Sequence, residues 1–248
     1  MIAVITGATG DIGREFVRSI VDEVDTVWAV GRNKNKLDSL SDLYGDKIVP
    51  VLCDLSSKES VFELCSKISS EKPEIKYLVN NAGVARLGPV SDFSIDEISD
   101  LLDINDKAAT LLCRASLPFM QKGSYIINVA SASAFQPNPY IALYSASKAY
   151  LLSFTRSLNA ENKDISCTAV CPGWVDTQML PKEKDGKKIR YPGIVTAEKV
   201  VRCALKDNRK GKDVSVCSWC YRYVRFWSKV LPHRLVIKIW MNMIRQYV

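Results

Sequence analysis

Residues 2–14, Ile-Ala-Val-Ile-Thr-Gly-Ala-Thr-Gly-Asp-Ile-Gly-Arg, open the chain with an apolar run, three glycines and the start of a helical pattern. This order predicts a strand, a tight turn and a helix. Glycines let a backbone approach a pyrophosphate closely, and a helix N-terminus offers free N–H groups and a positive dipole end. The stretch Thr6–Gly13 therefore indicates a dinucleotide-binding turn, with an ordinary strand-to-helix turn as the alternative.

Apolar runs and helical patterns alternate along all 248 residues, with no Pro/Gly/Ser-rich linker and no internal repeat. Such alternation predicts an α/β fold, doubly wound, with ligands at the carboxyl ends of parallel strands. We expect a single Rossmann-type domain over 1–248 with a parallel seven-stranded sheet and a helical, basic C-terminal extension. Strands are expected at 2–5, 26–30, 48–52, 75–79, 124–130, 165–171 and 213–217, and helices near 12–22, 34–43, 58–69, 96–121, 144–161 and 196–206.

A second group of residues has the chemistry of an acid–base catalyst. Tyr144 and Lys148 lie four residues apart in Tyr-Ser-Ala-Ser-Lys, which places them on one helix face. A free tyrosine has a pKa of ~10, but a nearby cation favours its phenolate and moves it towards neutral pH. Ser131, after the apolar run 125–129, offers a hydroxyl for the same substrate oxygen. A tyrosine and a lysine at this spacing are by themselves common on solvated helix faces. The catalytic interpretation therefore depends on the motifs around them.

The motifs and their order resemble those of the short-chain dehydrogenase/reductase family over roughly residues 2–180. The turn Thr6–Gly13 resembles the family's coenzyme fingerprint, and Asp54-Leu55 resembles the pair whose acid contacts the adenine ring. Asn80-Asn81-Ala82-Gly83 resembles the segment that lines the adenosine pocket. Residues 172–177, Pro-Gly-Trp-Val-Asp-Thr, resemble the segment whose threonine holds the nicotinamide carboxamide.

The resemblance implies roles for individual residues. Ser131, Tyr144 and Lys148 match the catalytic serine, tyrosine and lysine, and Asn105 matches the asparagine that completes a proton relay to the lysine through a water. The implied cofactor contacts are Thr6, Gly7, Thr9, Gly10, Asp11, Ile12, Gly13, Arg14, Arg32, Asp54, Leu55, Asn81, Ala82, Gly83, Tyr144, Lys148, Pro172, Gly173, Val175 and Thr177.

The glycine turn departs from the family pattern at one position. The usual TGxxxGxG would place its middle glycine at position 11, whereas this chain has Asp11 there and a glycine at Gly10. That spacing belongs to the extended branch, which contains sugar-nucleotide epimerases. The intact Asn-Asn-Ala-Gly segment and the lack of a sizeable C-terminal substrate domain argue against that branch. A carboxylate beside a pyrophosphate is repulsive unless it turns outward or caps the helix.

Charge favours NADP(H) over NAD(H) as the cofactor. A site that prefers NAD places a carboxylate at the end of the second strand for the ribose 2′-OH. Here that strand ends at Gly31-Arg32, and lysines follow at 34 and 36. Arg14 resembles the second basic residue that NADP-using members place near the 2′-phosphate, which suits the forked donors of arginine. Two solvated surface arginines are the alternative.

Metal chemistry and histidine catalysis are not expected. Cys217 and Cys220 form a lone CxxC and His233 is the only histidine, whereas a structural zinc site takes four ligands. Eight cysteines without a secretion signal favour a reducing, cytoplasmic location. No apolar run is long enough to span a membrane, and a strand that begins at residue 2 leaves no room for a signal peptide.

The C-terminal stretch from Arg202 to Val248 has eleven Lys/Arg and two Asp, so its charge of +9 exceeds the net charge of +7 of the whole chain. It predicts two basic amphipathic helices within 219–248, separated at Pro232. Three interpretations stay open: peripheral membrane contact, a substrate lid, or packing against a subunit, of which packing with a lid role is favoured. Nucleic acid is disfavoured because no recognisable binding module accompanies the charge. The apolar stripes are Trp219, Tyr223, Phe226, Trp227 and Val230, and then Val236, Trp240, Met243, Ile244 and Tyr247.

These features predict an NADP(H)-dependent oxidoreductase that interconverts a ketone and a secondary alcohol. The tail resembles that of short-chain reductases acting on steroids and fatty-acyl ketones, which implies an apolar substrate beneath the loop 178–193. The resemblance also implies a homodimer or homotetramer through the helices near 96–121 and 144–161. Two alternatives remain: a non-catalytic dinucleotide sensor that signals through the tail, and an epimerase-like extended enzyme.

Overall fold

Seven parallel strands form the central sheet of the protein. The computed structural model describes residues 1–178, 180, 183–184 and 187–244, and only the backbone of 184, 187 and 188. The strands are β1 (Ile2–Thr6), β2 (Thr26–Gly31), β3 (Ile48–Leu52), β4 (Ile75–Asn80), β5 (Tyr125–Val129), β6 (Ser166–Val170) and β7 (Val214–Ser215). Their order is β7-β6-β5-β4-β1-β2-β3. The predicted doubly wound α/β fold is confirmed, and the strand order changes direction between β1 and β4.

Helices cover both faces of the sheet. They are α1 (Asp11–Ile20), α2 (Lys34–Tyr44), α3 (Lys58–Glu71), α4 (Ile95–Leu102), α5 (Ala108–Ser116), α6 (Ala142–Glu161), α7 (Ala197–Asn208), α8 (Trp219–Val230) and α9 (His233–Ile244). Side-chain oxygens of Asn33, Ser57, Ser94 and Thr196 accept backbone N–H groups at the starts of α2, α3, α4 and α7, which satisfies part of the unpaired first turn.

The sheet is buried between two apolar layers. On one face, Phe16 and Ile20 of α1 and Val200 of α7 pack against the strands. On the other face, Ile68 of α3 and Leu112 of α5 do the same. Because both faces are covered, the strands are apolar in continuous runs, as parallel sheets require. Buried polar side chains at or near the carboxyl ends of β1, β4 and β5 include Thr6, Asn80 and Asn128.

The chain is helical over the stretch predicted near 96–121, but not as one regular α-helix. The chain forms α4, then a π-helical turn at Asp103–Lys107, then α5, and a 3₁₀ turn at Leu117–Phe119. A π turn inserts one residue into the helical ladder and changes the direction of the side chains within it. Asn105 lies in this turn and is buried there.

The two predicted tail helices are present as α8 and α9, with Pro232 between them. His233 is exposed at the start of α9, away from the sheet edge. Within the described ranges, no helix is long and apolar enough to cross a bilayer. Tyr247, predicted on the second apolar stripe, lies outside the described residues.

Candidate active site

A cleft of about 1670 Å³ runs along the carboxyl ends of the strands. Its floor is built by the segments that follow β1, β2, β4, β5 and β6, at the topological switch point where doubly wound sheets bind ligands. Eighteen of the implied cofactor residues line it, namely Gly7, Thr9, Gly10, Asp11, Ile12, Arg14, Arg32, Asp54, Leu55, Asn81, Ala82, Gly83, Tyr144, Lys148, Pro172, Gly173, Val175 and Thr177.

The other two, Thr6 and Gly13, lie behind the glycine turn and shape it. The hydroxyl of Thr6 accepts the backbone N–H groups of Asn81 and Ala82 at 3.0 and 3.1 Å. The side-chain amide of Asn81 donates to the carbonyls of Thr6 and Gly7, both at 3.1 Å. A Cβ at Gly13 would overlap the carbonyl oxygen of Gly7. The turn is therefore fixed between α1 and the end of β4 before any ligand binds.

Asp11 turns its carboxylate away from its own helix. Its Oδ2 accepts the backbone N–H of Gln178 at 2.8 Å, across the cleft from the glycine turn. The N-cap position of α1 is Gly10, and within the described residues no side chain caps this helix. The departure from the family glycine pattern thus links the turn after β1 to the segment after Thr177, and the first-turn N–H groups of α1 keep their place at the cleft.

Basic side chains surround the far end of the cleft. Arg14, Arg32 and Lys36 all line it, and Arg14 is oriented by a bond from its Nε to the carbonyl of Thr9 at 3.1 Å. Asp54 is held by the backbone N–H and hydroxyl of Ser56 at 3.0 and 2.9 Å. These two bonds, with the charge of Arg32, keep the pKa of Asp54 below its usual value. Lys36 was not among the predicted cofactor contacts. It reaches the cleft because it lies in the first turn of α2.

Ser131, Tyr144 and Lys148 meet at the opposite end of the cleft. Ser131 follows β5, and Tyr144 and Lys148 extend from the first two turns of α6. The Nζ of Lys148 donates to the carbonyl of Val129 at 2.8 Å and lies 5.7 Å from the centre of the Tyr144 ring. The three side chains predicted to act together are therefore neighbours.

Burial dominates the acid–base properties of this cluster. It raises the pKa of Tyr144 above its ordinary value, and a hydrogen bond with Ser131 counteracts part of that rise. Burial also lowers the pKa of Lys148 to about 8, although the carboxylate of Asp106 opposes this. The lysine is only 3% exposed, so a low-dielectric environment disfavours its ammonium form. In the protein alone, the expected shift of the tyrosine towards neutral pH is not present.

Asn105 lies beneath the cluster rather than on the cleft surface. Its Oδ1 accepts the N–H of Val84 at 2.9 Å, and its Nδ2 donates to the Val84 carbonyl and the Ser147 hydroxyl, both at 3.0 Å. A Cβ at Gly83 would come within 3.3 Å of that Oδ1 and 3.1 Å of the Lys148 Nζ. Asn105 and Lys148 thus approach the same glycine from two sides.

Two further residues of the site were missed by sequence reasoning. Ser147 donates to the carbonyl of Tyr144 at 2.9 Å and accepts from Asn105, so it ties the π turn to α6. Its position beside Lys148 was the available signal. Burial raises the pKa of Asp106 to about 6, and its Oδ1 has no hydrogen-bond partner among the described residues. Nothing in the sequence pattern distinguished this aspartate from its exposed neighbours.

The tail closes one side of the cleft. Val224, Trp227 and Ser228 of α8 and Val236 and Trp240 of α9 line it. The indole N–H of Trp240 donates to the carbonyl of Pro139, in the loop before α6, at 2.9 Å. The ring of Tyr221 occupies the space where a Cβ at Gly173 would lie.

The loop 178–193, predicted to cover the substrate, also forms part of the cleft wall. Leu180, Ile189, Tyr191 and Pro192 line the cleft. Residues 179, 181, 182, 185 and 186 of this loop lie outside the described residues.

Residues 1–188 match the family model for short chain dehydrogenases. The chain belongs to the short-chain dehydrogenase family. Residues 189–248, which include α7, α8 and α9, lie outside the match.

Relatives of this chain come from several bacteria. An uncharacterized oxidoreductase of Staphylococcus aureus strain N315 is 33% identical over 203 residues, which are 79% of this chain and 88% of that protein. Another, from Staphylococcus epidermidis strain ATCC 12228, is 28% identical over 204 residues, 81% of this chain and 89% of that protein.

Solved structures share the fold. A short-chain dehydrogenase from Sphingobium yanoikuyae in complex with NADPH has a TM-score of 0.76 and 25% identity, covering 87% of each chain. One from Burkholderia cenocepacia in complex with NADP has a TM-score of 0.75 and 26% identity, covering 91% of each. One from Burkholderia phymatum in complex with NAD has a TM-score of 0.73 at 20% identity, covering 87% of this chain and 88% of that one.

Proposed function

We propose that the protein interconverts a ketone and a secondary alcohol with NADP(H) as the hydride carrier. The observation that carries this proposal is the meeting of Ser131, Tyr144 and Lys148 at one wall of the cleft. A hydroxyl and a phenol that share a pocket can both hydrogen-bond one carbonyl oxygen, and the phenol can exchange a proton with it. A cluster with these roles has no use in a protein that only senses a dinucleotide.

The other end of the cleft fits a dinucleotide. The uncapped N-terminus of α1 offers N–H groups and a positive dipole end to a pyrophosphate. Gly7 has a φ of 61°, a left-handed conformation that lets the turn bend tightly beneath such a ligand. A nicotinamide cofactor supplies or accepts hydride when bound. Asn81, Ala82 and Thr177 line the same cleft and are proposed to hold its adenosine and nicotinamide ends.

Positive charge supports NADP(H) rather than NAD(H). Arg14, Arg32 and Lys36 line the cleft near the end of β2, where a site for NAD would carry a carboxylate. Asp54, which also lines the cleft, is engaged by Ser56. The Sphingobium yanoikuyae and Burkholderia cenocepacia relatives, which are at least 25% identical, carry NADPH and NADP. The guanidinium groups of the two arginines and the ammonium group of the lysine would together suit a 2′-phosphate.

Each polar residue of the cluster is proposed to have a distinct role. Tyr144 donates a proton to the carbonyl oxygen during reduction and accepts it during oxidation. Ser131 hydrogen-bonds the same oxygen and stabilises the negative charge that develops on it. Lys148, whose pKa of about 8 is close to neutral, returns a proton towards the tyrosine. Asn105 and Ser147 position the π turn against α6, next to the water path implied for the relay.

The walls of the cleft support an apolar substrate. Val224, Trp227, Val236, Trp240 and Met243 extend the pocket from the tail side. Aromatic rings present large apolar surfaces with few rotatable bonds, which suits a rigid or long hydrocarbon substrate. A homodimer or homotetramer through α4, α5 and α6, and a cytoplasmic location, remain predictions.

One screen tests the proposal. Purified protein is assayed by nicotinamide absorbance on ketones of increasing apolar size with NADPH or NADH, and on the matching secondary alcohols with the oxidised cofactors. We expect faster turnover with NADPH and a kcat/KM that rises with apolar size. Dinucleotide binding without turnover of any member would support a sensor instead. Tight binding of sugar nucleotides in a thermal-shift panel, without ketone reduction, would support an epimerase-like enzyme.

A further inference from the structure

The first tail helix has an apolar face that is largely exposed, and of the described side chains Tyr223 and Phe226 contact the ring of Trp227. Trp219 is 81% exposed, and Tyr223, Phe226 and Val230 are each more than half exposed. These positions recur every three to four residues, so they form one stripe along α8. The sequence grouped Trp227 with them, but Trp227 turns to the cleft instead. A contiguous exposed stripe of large apolar side chains marks an interaction surface.

The second tail helix also exposes apolar side chains near the mouth of the cleft. Leu235 and Ile239 of α9 are exposed, whereas Val236, Trp240 and Ile244 are buried beneath them. Tyr223 and Ile239 are exposed and also line the cleft. The outer apolar surface is therefore continuous with the inner wall of the proposed active site.

Basic side chains flank the stripe. Arg222 and Lys229 are exposed on the side of α8 next to it, and Arg234 and Lys238 are exposed on α9. Helical spacing places Arg222 and Lys229 about a quarter turn from the apolar residues. From Arg202 to Val248 the only acidic residues are Asp207 and Asp213, both before α8. The surface thus combines apolar rings with a single sign of charge.

We propose that this surface, here called the docking face, binds the surface of a bilayer that contains anionic lipids. The docking face consists of Trp219, Tyr223, Phe226, Val230, Leu235 and Ile239, flanked by Arg222, Lys229, Arg234 and Lys238. Its rings enter the boundary between headgroups and acyl chains, and its cations attract the anionic headgroups. The mouth of the cleft then opens at the lipid surface, and an apolar molecule can pass from lipid to cleft along Tyr223 and Ile239 without crossing water.

Charge argues for lipid over a second copy of the chain. A two-fold contact through the docking face would place the same patch on both partners. Four cations from each copy would then face each other across one interface, and like charges opposed at an interface are unfavourable. Interface cores are also depleted of lysine. An anionic lipid surface satisfies the apolar stripe and the cations at once.

Vesicle binding of the full-length protein tests the inference. Protein is co-sedimented with vesicles of phosphatidylcholine, alone or mixed with phosphatidylserine, at low and high salt. We expect binding to the mixed vesicles that is at least about tenfold tighter than to the neutral ones and that weakens with salt. This readout does not involve turnover, so it can fail while the proposed oxidoreductase function holds, and the reverse.

Two pairs of matched variants separate the contributions. Trp219→Ser with Phe226→Ser should reduce binding to both kinds of vesicle, whereas Leu43→Ser, at an exposed apolar site on α2, should not. Lys229→Gln with Lys238→Gln should weaken the preference for anionic lipid, whereas Lys206→Gln with Lys210→Gln removes equal charge at the end of α7 and should leave it unchanged. Melting temperatures near that of the parent protein would establish that each variant folds.

Brominated lipids give the position of the docking face directly. Bromine quenches only tryptophans that enter the bilayer, so quenching should be strong in the parent protein and largely lost in Trp219→Phe. The inference is overturned if the parent protein does not bind mixed vesicles, if binding ignores lipid charge, or if quenching persists in Trp219→Phe. It is also overturned if Trp219→Ser with Phe226→Ser converts a stable dimer into a monomer, since the stripe would then be a subunit interface.

Discussion

Tyr144 is the residue on which the proposed chemistry depends. Tyr144→Phe keeps the ring in its pocket and removes the group that exchanges the proton, so kcat should fall by on the order of 10²–10⁴. Binding of NADPH, measured by fluorescence titration, should change little. Tyr150→Phe is the matched control, because Tyr150 lies on the same helix with its hydroxyl 2.9 Å from Thr110. Near-parent turnover in Tyr144→Phe would exclude it as the proton donor.

Lys148 is held charged at a cost to the fold. Its pKa is about 8 when folded against an ordinary 10.5, so below pH 8 the buried ammonium costs roughly 3 kcal/mol. Lys148→Met removes that cost and loses the bond to the Val129 carbonyl, worth about 1–3 kcal/mol. We expect the variant to be inactive but about 1 kcal/mol more stable in urea unfolding at neutral pH.

The pH dependence of that difference tests its cause. Between the folded pKa near 8 and the unfolded value of 10.5, the unfolded lysine binds more proton than the folded one. This contribution therefore stabilises the parent protein progressively as pH rises through that range, and it is absent from Lys148→Met. The advantage of the variant should shrink or reverse by the upper end. An advantage that grows with pH would contradict the assigned shift.

Gly31 and Arg32, at the end of β2, are the positions at which we expect substitutions to change the preference between NADPH and NADH. A Cβ at Gly31 would meet Leu37 at 3.5 Å, an ordinary contact, so a residue with a Cβ is tolerated there. Gly31→Asp with Arg32→Ala adds a carboxylate for a ribose 2′-OH and removes a cation, so NADPH affinity should fall roughly tenfold or more relative to NADH. Dissociation constants for both cofactors measure the ratio. A parent protein that already prefers NADH would contradict the assignment of Arg14 and Arg32.

For the helices and strands, the sequence predicts the features that depend on a local pattern of residues. It misses the features that depend on contacts with residues distant in the chain. The strands were found because buried parallel strands are continuous apolar runs. The π turn at Asp103–Lys107 was missed because it depends on hydrogen bonds of Asn105 to Val84 and Ser147. These residues belong to three separate segments of the chain. The tail helices were found from their periodicity. Which face of α8 packs inward was not predictable, because Trp227 and Phe226 are equally apolar in sequence.

Asp11 connects two segments that are far apart in the sequence, and no sequence pattern indicated this contact. Its bond to the N–H of Gln178 joins the start of α1 to the segment after Thr177. Asp11→Ala removes the acceptor, so amide hydrogen exchange at 175–178 should speed up and NADPH should dissociate faster. Asp11→Asn keeps an acceptor oxygen and is the matched control, expected to stay near the parent protein. Equal exchange in both variants would show that the bond does not hold this segment in solution.

In the whole molecule, the contacts that attach the tail to the rest of the protein include those of Tyr221, Trp240 and Arg225. Tyr221 packs on Gly173, Trp240 bonds the Pro139 carbonyl, and Arg225 lies over the ring of Phe135. These contacts all reach the segments around the proposed substrate end of the cleft. None of these three contacts involves the glycine turn, β1 or β2, so we expect the nucleotide half of the molecule to fold without α8 and α9.

Deleting residues 219–248 separates the two halves experimentally. The sheet and its two apolar layers remain, so the shortened protein should fold and bind NADPH with nearly the parent affinity. It should lose the wall formed by Val224, Trp227 and Trp240, so KM for apolar ketones should rise far more than KM for small polar ones. Circular dichroism, NADPH titration and kinetics on paired substrates measure these outcomes. A shortened chain that does not fold would mean that α8 and α9 belong to the core, because exposing Val216 and Cys171 beneath them is then too costly for the remaining sheet.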